Sequence, residues 1–144
     1  MRFTFRFFVS WIVAATAMYT AFYVWHGMIL NDFKNLQFPY SWFVIFSSVA
    51  YLVISFISYR VFETKMLQNV DNLFVRGFIS ALIVSVSLFA TMTVLNISFT
   101  KNATSFYLMI DFIWQIIEQS LGAVFIVICK MFIFEPEPQL EEAD

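Results

Sequence analysis

Four long apolar runs separated by short polar breaks organise this chain. At 1.5 Å per helical residue, about 20 residues cross the roughly 30 Å hydrocarbon core of a bilayer. Four stretches meet that length: residues 7–30, 41–62, 73–95 and 106–134. The breaks run from Asn31-Asp32 to Pro39, from Glu63 to Asn72 and from Asn96 to Ser105. Ser41, Asn72 and Ser105 each stand where a side-chain oxygen would cap the free N–H groups of the helix that follows. The pattern predicts an all-α, four-helix transmembrane bundle, up-down-up-down, occupying residues 1–134. Residues 135–144 (EPEPQLEEAD) are acidic, hold two prolines and read as a disordered tail.

Lys and Arg set the expected orientation. Arg2, Arg6, Arg60, Lys65, Arg76 and Lys130 flank one side of the spans, and only Lys34 and Lys101 flank the other. Both termini are therefore expected in the cytoplasm. Arg2, Arg6 and the small residues Ala15-Thr16-Ala17 also resemble a cleavable signal peptide, but the apolar run continues to Leu30, which favours a retained anchor. Asn96-Ile97-Ser98 and Asn102-Ala103-Thr104 match the glycosylation pattern on the outer loop, a weak signal without meaning in a bacterium.

Composition agrees with the pattern. Of 144 residues 61% are hydrophobic and 12% charged, about half the charge a soluble surface requires. Twenty are phenylalanine. A net charge of −2 offers no basic face for nucleic acid. The single cysteine, Cys129, excludes an internal disulfide framework and a multi-cysteine metal site, and the single histidine, His26, excludes bis-histidine haem within one chain. No cofactor and no metal is implied. Trp11, Trp25, Trp42 and Trp114 fall at heights suited to interfacial aromatic belts.

Lipid tails do not drive apolar helices together, so packing depends on small residues and interhelical hydrogen bonds. Ser10, Ala14, Ala17 and Ala21 share a face of span one, Ser41, Ser48 and Ser55 recur by heptads on span two, and Ser80, Ser87 and Thr91 share a face of span three. Span four is different. Asp111, Gln115, Glu118 and Gly122 lie within an arc of about 60° and form a polar seam. Acids at membrane depth turn toward a bundle interior or a watered cavity. Counted from Lys130, Glu118 lies about 18 Å up, near mid-membrane, and Asp111 about 28 Å up, at the outer interface. Thr16, Tyr19, Ser48 and Ser87 share the level of Glu118, making it either a proton or cation binding group or a neutral acid that locks helix packing. Asp111 is either functional or simply a wetted interfacial carboxylate. His26 comes out level with Asp111 as an outer-rim partner, but its angle, alongside Tyr19, Phe22 and Tyr23, favours a belt position beside Trp25.

Three stretches carry a resemblance: Trp25-His26-Gly27 with Leu30-Asn31-Asp32-Phe33; Arg76-Gly77; and Asp111-x-x-Trp114-Gln115-x-x-Glu118-Gln119-x-x-Gly122. They look like a group of small four-span bacterial membrane proteins, and the similarity covers most of the chain. Such sequences commonly hold a second glycine after the one matching Gly122, where this chain has Ala123. The resemblance implies a bacterial inner membrane and no particular reaction.

No phosphate-binding loop, nucleophile elbow or zinc-protease motif is present. The leading expectation is a non-catalytic membrane module, an accessory, inhibitor or immunity-type protein acting through helix contacts. Its partners would be the lipid bilayer and either another membrane protein or further copies of itself. The alternative is an oligomeric channel or a proton- or cation-coupled carrier using Glu118 and Asp111. An intramembrane enzyme built on His26, Asp111 and Glu118 ranks third, because the two acids lie about 10 Å apart in depth, too far for concerted acid–base work.

Overall fold

A computed structural model describes residues 4–35, 39–99 and 105–133. The acidic tail, Lys101 and the Asn102 triplet lie outside the described residues. Among the described residues there are five α-helices: α1 (Phe5–Tyr23), continued by a π-helical segment at Val24–Ile29 and followed by a 3-10 turn at Asp32–Asn35, α2 (Tyr40–Phe62), the single turn α3 (Lys65–Gln68), α4 (Leu73–Phe99) and α5 (Ser105–Phe132). Four of them, α1 with its extension, α2, α4 and α5, are long and apolar enough to cross a membrane. There is no strand among the described residues. The chain is a small polytopic membrane protein built as an all-α bundle.

Helix starts follow local chemistry. Thr4 caps α1, its hydroxyl accepting from the Phe7 N–H at 3.4 Å. Asn72 caps α4 as expected, its Oδ1 accepting from the N–H groups of Phe74 and Val75 at 2.9 and 3.2 Å. α2 differs from expectation: it begins at Tyr40 directly after Pro39, so Ser41 lies inside its first turn. A proline suits this position, since its missing N–H would have had no helical partner. α5 includes Ser105 as its first residue, and α4 runs on to Phe99, which puts the backbone of Asn96-Ile97-Ser98 in helix rather than loop. α1 ends in a π turn closed by the Leu30 N–H on the Trp25 carbonyl at 2.8 Å. Asn31 follows at φ 59°, a left-handed conformation that asparagine tolerates better than most residues and that turns the chain out of the span.

The helices stand as a square, α1–α2–α4–α5, with the closest packing between α4 and α5 and between α1 and α5. Ser10 and Ala14 of the small face of α1 are fully buried, while Ala17 and Ala21 are half-buried. On α2, Ser55 is buried and donates to the Trp11 carbonyl across the helix pair at 2.7 Å, Ser48 is half-buried and Ser41 is exposed. The expected face of α4 is corrected. Ser80 is buried, but Ser87 and Thr91 are exposed and return their hydroxyls to their own helix, on Ile83 and Ser87 carbonyls at 2.8 Å. The buried ridge instead runs through Arg76, Gly77, Ser80, Ala81, Val84 and Ser85, spaced by fours, so α4 packs along an i, i+4 row.

Gly77 and Gly122 set the two closest approaches. A Cβ on Gly77 would stand 3.0 Å from Val127 and 3.8 Å from the Ala123 side chain. The small residue that pairs with Ala123 thus comes from the opposite helix, and α4 and α5 pack closely without a second glycine beside Gly122.

Candidate functional site

The two halves of the bundle are built differently. Toward the lysine- and arginine-rich end, Phe7, Ala14, Tyr59, Phe62, Ile126 and Val127 form a continuous buried core. Phe62 is capped by cations: the Arg76 guanidinium lies 4.4 Å and the Lys130 ammonium 5.1 Å from its ring centre. Arg76 Nε donates to the Phe62 carbonyl at 2.8 Å, while Glu63 pairs with Lys130 and lies 3.8 Å from Arg76. These residues tie α2, α4 and α5 together and close that end.

At the other end α2 and α4 separate. A cavity of about 410 Å³ opens between them, backed by α5 and by the π segment of α1. Ser47, Ala50, Tyr51 and Ile54 line it from α2, and Leu88, Phe89, Met92 and Thr93 from α4. α5 contributes Leu108, Asp111, Trp114, Gln115 and Glu118, and Phe22 and His26 complete the wall. Three of the four seam residues therefore share one cavity, and His26 joins them.

Each seam residue has its own place. Glu118 is buried, 2% exposed, at the cavity floor. The Tyr51 hydroxyl donates to its carboxyl, and the Trp114 indole approaches it without completing an aligned hydrogen bond. Oε1 of Glu118 has no hydrogen-bond partner among the described residues. Gln115 is half-buried and its carbonyl accepts from Ser85 at 3.2 Å. Asp111 is exposed at the rim. Gly122 lies below the cavity, where a Cβ would fall 2.5 Å from Met18 Sδ; it is the point where α1 and α5 touch.

The expected hydroxyl neighbours of Glu118 are mostly elsewhere. Thr16 and Ser87 are exposed and bonded within their own helices. Tyr19 stands behind the site, its ring 5.9 Å from that of Tyr51. The working partner is Tyr51 of α2.

His26 keeps company with Phe22, ring centres 4.8 Å apart, as its angle on the helix implied. Trp25 is turned onto α5, stacked on Trp114 at 4.2 Å and 10°. An angular count at 100° per residue assumes unbroken α-helix, whereas the π turn winds less per residue and brings both side chains to the bundle. A π turn inside a helix commonly accompanies a functional site.

Gln119 was also missed. It is 1% exposed, and its Oε1 accepts from Ser58 at 3.1 Å, tying α5 to α2 beside Glu118. A polar residue at mid-span is signal enough to expect it inside, but it lies one step off the arc of the seam. Among the described residues no group of three or more His, Cys, Asp or Glu converges to hold a metal ion.

No family model, curated protein or solved structure matches this chain.

Proposed function

We propose that this protein is a non-catalytic membrane module, an accessory, inhibitor or immunity-type subunit that works by binding within the bilayer. One observation carries the reading: the cavity ends at Glu118, while Met18, Phe62, Ile126 and Val127 fill the bundle beyond it. A blind cavity in a bundle closed at one end holds something; it does not conduct it. The parted flank of α2 and α4 exposes Ala50, Val49, Val53 and Met92, an apolar edge for a partner helix. The distribution of Lys and Arg and the resemblance of the Trp25-His26-Gly27 and Asp111–Gly122 motifs support a bacterial inner membrane, with both termini cytoplasmic and the cavity outward.

A photo-crosslinking residue placed at Ala50 or Met92 tests this reading. One protein of constant mass should be captured there, and none from Phe8 or Phe74 on the closed half. The same ladder of products at all four positions overturns it.

A second reading, an oligomeric channel or a proton- or cation-coupled carrier using Glu118 and Asp111, is favoured by the unsatisfied Oε1 of the buried Glu118. It requires several copies or a second arrangement of the helices. Flux in proteoliposomes that Glu118→Gln leaves unchanged sinks it.

A further inference from the structure

Glu118 poses a problem that the bundle does not solve by itself. Its side chain is buried against the cavity, the Tyr51 hydroxyl serves part of the carboxyl, the Trp114 indole approaches it without an aligned hydrogen bond, and Oε1 has no hydrogen bond among the described residues. A buried oxygen left without a donor is unfavourable, most of all in the apolar middle of a bilayer. The missing donor has room to arrive, since the space beside Glu118 is of a size that small-molecule sites use.

The walls decide what can carry that donor. Among the described residues two acids and His26 line the cavity, and no Lys or Arg does. Phe22 and Tyr51, ring centres 5.2 Å apart, make a continuous aromatic wall that Trp114 and Phe89 extend on the facing helices. Ring faces carry partial negative charge and attract cations. Ile54, Leu88 and Met92 supply an apolar surface above the carboxyl. The Glu118 carboxyl at the floor, the aromatic rings, and the aliphatic groups interspersed with Ser47, Thr93 and Gln115 match a cation on an apolar body.

We propose that this cavity binds an amphiphilic organic amine, its ammonium donating to Glu118 Oε1 and its apolar portion lying against the aromatic wall, Leu88 and Met92. A charge-assisted N–H to carboxylate bond is of the strong kind. The amine is either a free molecule or the headgroup of an ethanolamine lipid entering sideways between α2 and α4; the recognition chemistry is shared. This site stands on the cavity alone and does not depend on a protein partner.

The test uses the full-length chain in dodecyl maltoside, titrated calorimetrically with 4-phenylbutylamine and, separately, with 4-phenylbutanol. One amine should bind per chain, about tenfold or more tighter than the alcohol. Glu118→Gln should reduce the amine to the affinity of the alcohol, and Ala50→Phe, which fills the cavity mouth and leaves the carboxyl untouched, should abolish binding of both. Equal affinities for amine and alcohol overturn the proposal, as does amine binding undiminished in Glu118→Gln. Should that variant not fold, undiminished binding in Ala50→Phe overturns it equally. Repeating the amine titration in phosphatidylglycerol nanodiscs with and without phosphatidylethanolamine separates the two sources. Competition by the lipid identifies the headgroup as ligand, and its absence identifies a free amine.

Discussion

Gly122 has no side chain because Met18, itself fully buried, already occupies the space one would take. Adding a methyl group pushes Met18 into a packed core, and such overpacking typically costs about 1–3 kcal/mol. Gly122→Ala should therefore lower the melting temperature of the purified protein measurably. Leu121→Ala, one residue away on the exposed side of α5, should leave it nearly unchanged. Gly77 and Ala123 face each other for the same local reason. Where two helices approach this closely, one small residue on each suffices, and a glycine pair on a single helix is unnecessary.

At the scale of whole helices, hydroxyls sort by where they send their hydrogen bond. Ser55 reaches across to the Trp11 carbonyl, whereas Ser87 and Thr91 bond back to their own helix. Interhelical hydrogen bonds in membranes contribute about 0.6–1.7 kcal/mol. Ser55→Ala should cost an amount in that range in a denaturant or thermal assay, and Ser87→Ala should shift stability by less than about 0.5 kcal/mol. This contrast marks how far the sequence could be read. The spans and the burial of Glu118 follow from run length and from the cost of exposing an acid to lipid, so both were legible, while Asp111 of the same seam is exposed. The packing face of α4 was not, because Ser80, Ser87 and Thr91 share an angular stripe with nothing in it to distinguish a buried hydroxyl from a self-bonded one. Tyr51 was hidden for a related reason: it reads as an ordinary apolar position, and only the relative rotation of α2 and α5 puts it on the carboxyl, whereas Trp114 stands one turn before Glu118 on α5 itself, a neighbour that the spacing already carried. The π turn that directs Trp25 onto Trp114 leaves no mark in the spacing of apolar residues.

The molecule as a whole is asymmetric along the bundle axis. The end carrying Glu63, Arg76 and Lys130 is tied by charge and filled by Phe62, and the opposite end parts along α2 and α4 around a cavity. If the cationic end is cytoplasmic, a cysteine at Lys65 should react with a membrane-impermeant maleimide only in inside-out vesicles, and one at Lys34 only in intact cells, both in a Cys129→Ser background. The reverse pattern would invert the proposed orientation and leave the bundle itself intact.

The claim on which the account turns is that the polar seam opens at one end only and stops at Glu118. Cysteines placed singly at Asp111, Gln115 and Glu118, again without Cys129, measure this through their rate of labelling by the same impermeant reagent applied to either side. Labelling should be fast at position 111 from the Lys34 side, slower at 115, slowest at 118, and absent at all three from the Lys65 side. Reaction at 115 or 118 from the Lys65 side would show a path through the closed end and contradict the account.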